Sequence, residues 1–509
     1  MILKSFSPNT IKLLGQIGCT DPTEVEAIVK TAKDAQVHWQ EIGINKRINE
    51  LKIIRDNLFS KYAEIAQLIS DENGKPFAEA ISSEIIPTLS VFDYYLAKSK
   101  KYLRPQKVRI KLPVMIHKKS WIEFEPWGVV GIISPWNYPL LLPMGQIIPA
   151  LIAGNSVVFK PSEFTPLVGS WIEKLFNGSN LLKNVFNVIY GEAQVGQSLV
   201  NSKIDKLFFT GSTNVGKIIS KNAADKLLPI SLELGGKDPI LVLKDADLDR
   251  TAQGIAWGAL TNSGQTCVSV ERVYVHESLH YELIHKLIEH VSRLKLYNGS
   301  EYYDLSALKT EQQANKVKEH IQDAVRKGAK IIFGGRQIDE NKFEPTILTD
   351  VNHDMLVMKE ETFGPIIAIK KVSDDNEAIK FANDSDYGLS ASVWTKDISH
   401  GREVARKIKS GSVLINDCIS YFGTSEAVVG GIKLSGTGRV HGRSGLMEMV
   451  YEKYYNSDSF TWQKKFWWFP YGNKATENMK FALTFLYGRN VFKRLMAGIK
   501  ILPALFKRK

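Results

Sequence analysis

A cysteine and a glutamate lie in two short segments whose residue types are suited to covalent catalysis. Cys267 ends the polar run 262–267, and Glu233 lies in the run 232–237, about one helix length earlier in the chain. A thiolate can form a covalent acyl intermediate, and a carboxylate can activate the water that cleaves it. The pair therefore predicts an oxidation or acyl-transfer cycle that passes through a cysteine.

Each of these residues also has a structural interpretation. A lone cysteine is usually a small buried hydrophobic residue, and this is how we interpret Cys19 and Cys418. Cys267 differs because the residues before it form a polar, flexible lead-in that is unsuited to a core. A lone glutamate is usually a surface charge, but Glu233 sits in an apolar strand pattern followed by two glycines, which permit close backbone approach. Burial there would raise the pKa of Glu233 toward that of a useful base.

A third candidate is Asn137, in the run 133–139 that follows a predicted strand. Pro135 and Pro139 restrict the backbone around it, and its amide is placed to donate to a developing oxyanion. Loss of one such donor typically costs roughly 10²- to 10³-fold in rate. In isolation, an asparagine between prolines is more often a turn residue.

Three further segments are candidates for a dinucleotide site. The run 209–216 joins a predicted strand to a helical pattern, and its small residues let a helix N terminus approach a pyrophosphate, with Ser212 or Thr213 as cap or donor. Lys160 and Glu163 follow another strand and are placed to reach the hydroxyls of an adenosine ribose. The run 360–365 combines acid, aromatic ring and turn. The structural alternatives are a helix cap, an exposed turn and a solvated acidic turn.

The elements that must position these segments form two alternating regions. Residues 21 to about 103 show helical spacing, broken at 73–76, and Val108, Ile110, Leu112 and Val114 alternate with polar residues as a strand pair. After Gly128, β-rich runs alternate with helix-length stretches, which predicts parallel sheets covered on both faces. The runs are 129–133, 157–159, 185–189 and 207–209, then 273 onward, 331–333, 366–369, 389–393 and 413–415. Cys267 lies at the junction of the two regions, where clefts usually form.

The net charge of +12 is concentrated at the C terminus. Residues 457–509 hold eleven Lys or Arg against two acidic residues, so the rest of the chain carries only +3. Aromatic residues interleave with lysines, and further apolar residues recur at helical spacing beside Lys493, Arg494 and Lys500. The apolar and aromatic positions are Trp462, Phe466, Trp467, Trp468, Phe469, Tyr471, Phe492, Leu495, Met496, Ile499, Leu502 and Phe506. The pattern predicts a basic amphipathic helix on an anionic membrane surface, since a span needs about 20 uncharged apolar residues. Packing on its own subunit or a dimer partner, and nucleic-acid binding through charge, are the alternatives.

The cysteine count bears on the compartment. Three widely spaced cysteines argue against a disulfide framework or a zinc site, and the N-terminal residues lack the apolar run of an export signal. We therefore expect a cytoplasmic protein, associated with the inner face of a membrane, without a metal site and without nucleic acid as partner.

These segments, in this order and at these separations, resemble the aldehyde dehydrogenase superfamily from about Asp21 to about Tyr455. The resemblance implies NAD(P)-dependent oxidation of an aldehyde to the acid through a cysteine thiohemiacetal and thioester. It implies Cys267 as nucleophile, Glu233 as general base, and Asn137 with the Cys267 N–H as oxyanion hole. The coenzyme-binding residues that it implies are Trp136, Lys160, Glu163, Thr210, Gly211, Ser212, Gly216, Leu234, Glu361 and Phe363.

The resemblance also implies an α/β fold with two main domains. A Rossmann-like NAD-binding domain would comprise residues 1–103 and 127–234, and an α/β catalytic domain residues 235–435. An oligomerisation hairpin at 104–126, a return segment at 436–456 and the basic tail at 457–509 complete the prediction. We expect a homodimer or homotetramer.

Substrate and coenzyme preferences are the least constrained expectations. Docking on a bilayer favours long-chain or lipophilic aldehydes, as in membrane-associated relatives, and Leu140, Leu141, Leu142 and Met144 beside small Gly145 are compatible with a wide apolar entrance. Where the family commonly carries Pro-Phe, this chain has Val428 and Val429, which puts substrate choice in doubt. A carboxylate at Glu163 would repel a 2′-phosphate, which favours NAD while NADP remains an alternative. The competing hypotheses are a soluble semialdehyde or betaine-type dehydrogenase and a catalytically silent binding protein with this fold.

Overall fold

The computed structural model describes residues 1–112, 115, 117–179, 181–459, 465 and 467–505. They group into two compact units, Met1–Tyr102 with Pro126–Val450, and Leu103–Glu125 with Tyr451–Lys509. Some predicted positions lie outside the described residues. They are Val114 in the strand pair and Trp462, Lys464, Phe466 and Phe506 in the tail.

The first unit opens with a hairpin that the sequence did not predict, in which β1 (Ile2–Phe6) pairs antiparallel with β2 (Leu13–Gly18). The helices that follow confirm the helical pattern. They are α1 (Val25–Glu41), α2 (Ile44–Ser60), α3 (Tyr62–Asn73), α4 (Phe77–Ala80) and α5 (Ile86–Tyr102), with a π-helical turn at Ile81–Ile85. The predicted break is confirmed, because Gly74 ends α3 with a φ of 98°.

The strand pair predicted for 104–126 is shorter than its sequence pattern. β3 (Gln106–Val108) pairs antiparallel with β4 (Lys118–Pro126). Ile110 and Leu112 lie outside both strands, because only three residues of β3 find partners on β4.

A parallel sheet forms the first half of the site. Its elements are β5 (Val129–Ile133), α6 (Leu141–Ala153), β6 (Ser156–Lys160), α7 (Pro166–Asn177), β7 (Phe186–Val188), α8 (Ala193–Asn201), β8 (Lys206–Thr210), α9 (Thr213–Ala224) and β9 (Ile230–Glu233). The strand order is β9-β8-β5-β6-β7, and all neighbours are parallel. The carboxyl ends of these strands therefore meet at one edge of the sheet, where ligands bind in open α/β folds.

A seven-stranded sheet carries the second half of the site. Its elements are β10 (Asp238–Val242), α10 (Leu248–Leu260), β11 (Val270–His276), α11 (His280–Val291), α12 (Glu311–Arg326), β12 (Lys330–Phe333), β15 (Thr346–Thr349), α13 (Leu356–Lys359), β16 (Ile366–Val372), α14 (Asp375–Asn383), β17 (Ser390–Trp394), α15 (Ile398–Ala405) and β18 (Ser412–Ile415). Between β12 and β15, β13 (Gln337–Asp339) and β14 (Lys342–Phe343) form a separate two-stranded antiparallel sheet. The order is β12-β15-β16-β11-β10-β17-β18, parallel except for β12. Ile240 packs in one core cluster and Leu241 in another, so both faces of the sheet are covered.

The chain then returns to the first sheet and leaves it for the second unit. β19 (Gly436–Thr437) pairs antiparallel with β9, and α16 (Gly442–Met447) follows. In the second unit, β20 (Val450–Asp458) joins β4 and β3 in a three-stranded sheet. The tail continues as α17 (Asn473–Tyr487) and α18 (Val491–Leu505), which pack together with Ala482, Ala497 and Ile501 buried. Of the helices in the described ranges, none combines the length and apolar character that crossing a membrane requires.

Candidate active site

A cavity of about 640 Å³ opens at the carboxyl ends of the parallel strands of the first sheet. Twelve of the thirteen predicted site residues line it. They are Trp136, Asn137, Lys160, Glu163, Thr210, Gly211, Ser212, Glu233, Leu234, Cys267, Glu361 and Phe363. Sequence segments that are more than 200 residues apart therefore converge on one cavity, and the prediction had grouped them by motif order alone.

Gly216 is the exception, because it is not among the described residues that line the cavity, and its contact with a pyrophosphate stays a prediction. It lies inside α9, where a Cβ would stand 2.6 Å from a methyl carbon of Leu234. The glycine thus lets the helix pack against Leu234, whose side chain does line the cavity. Ser212 caps the same helix, since its Oγ accepts a hydrogen bond from the Val215 N–H over 3.4 Å.

The segment before Cys267 is a buried, strained turn rather than the flexible lead-in that we predicted. Asn262 and Ser263 have positive φ values of 49° and 56°, a conformation that costs about 1 to 3 kcal/mol per residue. Side-chain hydrogen bonds hold the turn, because Asn262 Nδ2 donates to the Asn137 carbonyl over 3.1 Å and Ser263 Oγ to the Ser306 carbonyl over 3.0 Å. Such a turn fixes Cys267 in place at the junction of the two sheets.

The thiol of Cys267 lies among acidic groups. The residue is half-buried and faces the cavity. Burial raises the pKa of the Cys267 thiol well above its ordinary value, and the carboxyl groups of Glu233, Glu361 and Asp238 raise it further. The thiol is therefore protonated at rest, and a base must remove its proton before it can act as a nucleophile.

Glu233 has the environment of such a base. It ends β9 and is buried, and within the described residues its Oε1 has no hydrogen-bond partner. Burial raises the pKa of Glu233 to about 8, while the charge of Arg439 opposes the rise. Gly236, just beyond it, allows close approach, since a Cβ there would stand 2.5 Å from the Cys267 carbonyl oxygen.

The loop that carries Asn137 is held by a buried ion pair, which the sequence analysis missed. Lys75 donates from Nζ to the Asn137 carbonyl and to Glu84 Oε1, both over 2.9 Å. Glu84 Oε2 in turn accepts from the backbone N–H groups of Leu140 and Leu141. The side chains of Lys75 and Glu84 are fully buried, so the pair fixes the loop that carries Asn137. Its only sequence signal was the break at 73–76, which we interpreted as the end of a helix.

The Asn137 side chain itself is nearly buried. Its Nδ2 donates to the Gln265 carbonyl over 3.1 Å, and its Oδ1 has no hydrogen-bond partner in the described part of the chain. An amide carries two N–H donors, so one remains to serve a ligand in the cavity.

The same cavity offers groups suited to a dinucleotide. Lys160 is buried with its Nζ 3.5 Å from Glu163 Oε2, and burial lowers the pKa of Lys160. Trp136 and Phe363 meet edge to face with ring centroids 5.7 Å apart. Gln313 and Lys316, which the sequence did not single out, add two polar side chains from α12. These residues fit a coenzyme that presents hydroxyl, phosphate and aromatic groups.

The segment that carries Glu361 and Phe363 is held by a buried ion pair, which the sequence analysis also missed. The Glu271 carboxylate pairs with Lys237 and accepts from the backbone N–H groups of Thr362 over 2.8 Å and Phe363 over 3.0 Å. Glu361 Oε1 accepts from the Gly236 N–H over 3.1 Å, and burial raises the pKa of Glu361 to about 7.

A second cavity of about 280 Å³ reaches Cys267 from the other side. Half of its sixteen described lining residues are apolar or aromatic. These lining residues are Pro87, Tyr138, Leu141, Leu142, Trp257, Val268, Ile419 and Phe422. Cys267 and Leu142 line both cavities, so ligands bound in the two cavities would approach each other at these residues.

The structure corrects part of the predicted entrance. Leu140 and Met144 are buried and do not line the second cavity. Gly145 lies against His441, whose Nε2 would stand 3.1 Å from a Cβ at that position. Val428 and Val429 are not among the described lining residues either. The segment 419–423 lines the cavity instead, which spacing alone did not predict.

Two further predictions concern the burial of Cys19 and Cys418 and the presence of a metal site. Cys418 is buried in a core cluster as predicted, but Cys19 is only half-buried. Within the described ranges, no group of three or more His, Cys, Asp or Glu side chains is placed to hold a metal ion.

Comparisons with known proteins agree with this geometry. The model of the aldehyde dehydrogenase family matches residues 2–455. The chain is 36% identical over 488 residues to a 4,4'-diapolycopene aldehyde oxidase from Methylomonas sp, which covers 96% of this chain and 92% of that protein.

Two crystal structures are similar over most of their length. One is a betaine aldehyde dehydrogenase point mutant from Staphylococcus aureus in complex with NAD+, with a TM-score of 0.87 and 31% identity, covering 92% of this chain and 96% of that chain. The other is an NADP-dependent glyceraldehyde-3-phosphate dehydrogenase from Bacillus halodurans in complex with NADP, with a TM-score of 0.85 and 34% identity, covering 90% of this chain and 96% of that chain.

Proposed function

Because the chain belongs to the aldehyde dehydrogenase family, and is thus an enzyme that oxidises an aldehyde with NAD(P), we propose that its substrates are long-chain, lipophilic aldehydes. The observation that carries this proposal is the apolar and aromatic lining of the second cavity, which ends on Cys267. The similarity to an enzyme named for a diapolycopene aldehyde supports it. Burial of apolar surface, at about 25 cal/mol per Å², then supplies most of the substrate affinity.

The proposed reaction begins at the sulfur of Cys267. Glu233 takes the thiol proton, Sγ adds to the aldehyde carbon, and the remaining N–H of Asn137 with the Cys267 N–H stabilises the oxyanion. When bound, NAD(P)⁺ would supply the hydride acceptor, and loss of hydride from the tetrahedral adduct would leave a thioester on Cys267. After releasing its proton to solvent, Glu233 takes a second proton from the water that hydrolyses the thioester to the carboxylic acid. A buried carboxyl with a pKa of about 8 suits both proton transfers.

The coenzyme is proposed to lie along the first cavity. Lys160 and Glu163 would hold the adenosine ribose, and Thr210, Gly211 and Ser212 the pyrophosphate at the start of α9. The nicotinamide ribose and ring would lie against Glu361, Phe363, Trp136 and Leu234. A carboxylate at Glu163 disfavours a 2′-phosphate, so we propose NAD as the preferred coenzyme.

An aldehyde chain-length series with both coenzymes tests this function. We expect kcat/KM for saturated aldehydes to rise with chain length by roughly threefold or more per CH₂ until the second cavity is filled, because each buried CH₂ contributes about 0.8 kcal/mol. NAD is expected to give the higher kcat/KM at each length. The proposal is wrong if short aldehydes are turned over as efficiently as long ones.

The domain assignments remain part of the proposal. We propose that 1–103 and 127–234 bind the coenzyme and that 235–435 supplies the catalytic cysteine. The sheet of the second unit, built on the 104–126 hairpin, is proposed to pair subunits into a homodimer or homotetramer.

We also propose that the tail helices α17 and α18 lie on an anionic membrane surface. Their outer side exposes apolar residues, among them Phe492 at 72% and Ile499 at 58%, with Lys493 and Lys500 beside them. Apolar side chains that insert at the headgroup level, flanked by lysines that meet anionic lipid, are typical of interfacial helices. A substrate dissolved in the bilayer would then be close to the enzyme.

Vesicle flotation tests the membrane proposal. The full chain is expected to float with vesicles containing phosphatidylglycerol, and the double substitution Phe492→Glu with Ile499→Glu to reduce the bound fraction by roughly 100-fold or more, since two large apolar side chains no longer insert. Asn473→Glu with Thr476→Glu is the matched control, because it makes the same charge change at exposed positions in the first turn of α17. Equal flotation of the two variants would remove the proposed role of the apolar face.

A further inference from the structure

One charged side chain stands out in the second cavity. Among the described residues that line it, Glu79 is the only one with an ionisable acid or base other than Cys267 and Tyr138. It belongs to α4, is partly exposed, and its Oε1 accepts a hydrogen bond from Thr261 Oγ1 over 2.9 Å. Apart from Glu79 and Cys267, the polar side chains of the described lining carry hydroxyl groups, on Ser82, Ser83, Tyr138, Thr261, Thr266 and Ser420. The remaining lining is apolar or aromatic, so Glu79 is its one carboxylate among the described residues.

No described cation lines the cavity to neutralise this carboxylate. Lys75 is the basic residue whose charge acts on Glu79, but it is fully buried and bonded to Glu84 over 2.9 Å. Lys75 is absent from the described lining, and so are arginine and histidine. Burial raises the pKa of Glu79, whereas Lys75 and the Thr261 hydroxyl oppose the rise. Above that pKa, a substrate in the second cavity meets one negative charge and no described positive one.

We propose that Glu79 is a specificity-determining residue that excludes aldehydes carrying an anionic group on the carbon distant from the aldehyde. The inference rests on the proposed function, because it assumes that the second cavity holds the substrate chain while its aldehyde reaches Cys267. An anionic tail there would be stripped of water and placed near a carboxylate, and both effects weaken binding. Apolar tails meet neither penalty.

The exclusion of anionic aldehydes depends on the side chains of this protein and not on the fold that it shares with similar structures. A similar structure carries the name of a dehydrogenase for glyceraldehyde-3-phosphate, which is an anionic aldehyde. The shared architecture is thus compatible with an anionic substrate when the side chains suit it. In this chain the described lining of the second cavity has the opposite charge preference.

The test compares two aldehydes of equal length, one ending in a methyl group and one in a sulfonate, which stays ionised across the useful pH range. We expect the wild-type enzyme to prefer the methyl-ended aldehyde strongly. Glu79→Gln is expected to raise kcat/KM for the sulfonate, relative to kcat/KM for the methyl-ended aldehyde, about 10- to 100-fold, because the repulsion between the two charges is gone. Glutamine can still accept the Thr261 hydrogen bond.

Glu319→Gln is the matched control, since it removes the same charge from an exposed position on α12. It should leave the ratio of the two kcat/KM values unchanged. Equal ratios in the wild type and Glu79→Gln would overturn the charge exclusion. If instead the wild type turns over the sulfonate and not the methyl-ended aldehyde, the proposed function fails as well, so the two failures are distinguishable.

A measurement on the unmodified enzyme guards against a folding defect in the variant. The ratio of the two kcat/KM values cancels the titration of Glu233 and Cys267, which act on both aldehydes alike. It should decrease as the pH is lowered across the range in which the enzyme is stable, because protonation of Glu79 removes its charge. A ratio that is constant over this range, together with an unaltered ratio in Glu79→Gln, contradicts the proposal.

Discussion

Replacing Cys267 by alanine is expected to reduce aldehyde oxidation by roughly 10⁴-fold or more, because no other group in the cavity can form the thioester. Cys267 lines both cavities. Coenzyme binding should survive, since the residues proposed to bind it lie elsewhere along the first cavity. The measurements are the rate of NADH formation and the thermal shift of the variant with NAD.

Cys418→Ala is the matched control. Its thiol is also buried, but it packs in the core beside Gly258 and lines neither cavity in the described residues. We expect nearly full activity from this variant, with a small loss of stability. Mass spectrometry should detect an acyl adduct on the wild-type enzyme and on Cys418→Ala but not on Cys267→Ala. Turnover that survives in Cys267→Ala would exclude the cysteine mechanism.

The sequence was sufficient for the features that depend on local patterns. Apolar runs such as 129–133 and 207–209 became β5 and β8, because short β-branched and aromatic runs between helix-length stretches favour buried parallel strands. The glycines after Glu233 predicted close backbone approach, and the structure has the Cys267 carbonyl and the Glu361 carboxyl against them. Motif order then placed twelve of the thirteen predicted residues in one cavity.

The features that were missed depend on contacts between distant residues. Lys75 and Glu84 are nine positions apart, but their effect is on Asn137, more than 50 positions later. Glu271 similarly holds the backbone of Phe363, 92 positions away. A single sequence contains no periodicity that marks such pairs. Gly216 is ambiguous for a different reason, because a glycine at a helix start fits helix packing as well as phosphate binding.

The same distant packing explains why a polar turn can be buried. Asn262 and Ser263 adopt left-handed conformations that their sequence does not favour, and their side chains then satisfy carbonyl groups of Gln265 and Ser306. The hydrogen bonds offset the cost of strain and of burying polar groups. A rigid turn is useful here, since a covalent step requires the sulfur to stay close to the oxyanion donors.

Glu233→Gln should separate the two halves of the proposed reaction. Glutamine has nearly the same shape but cannot take a proton, so we expect steady-state turnover to decrease about 10²- to 10⁴-fold. The first turnover should still produce about one NADH per Cys267, more slowly than in the wild type, because the aldehyde can be oxidised once before hydrolysis is needed. Rapid-mixing absorbance measurements of NADH give both the amplitude of this burst and the later rate.

The pH dependence of turnover should follow the ionisation of Glu233. The pKa of Glu233 is raised to about 8, so the carboxylate that acts as base predominates only above that pH. Wild-type turnover should therefore decrease about tenfold per pH unit below about 8 and level off above it, and Glu233→Gln should lose this inflection. Glu360→Gln is the control that should keep the inflection, because Glu360 is an exposed neighbour of Glu361 in the first cavity.

Hydroxylamine, which cleaves thioesters without a base, should restore repeated turnover to Glu233→Gln. If that variant shows neither a burst nor rescue by hydroxylamine, Glu233 is required before the thioester forms, and the predicted separation of the two halves is wrong.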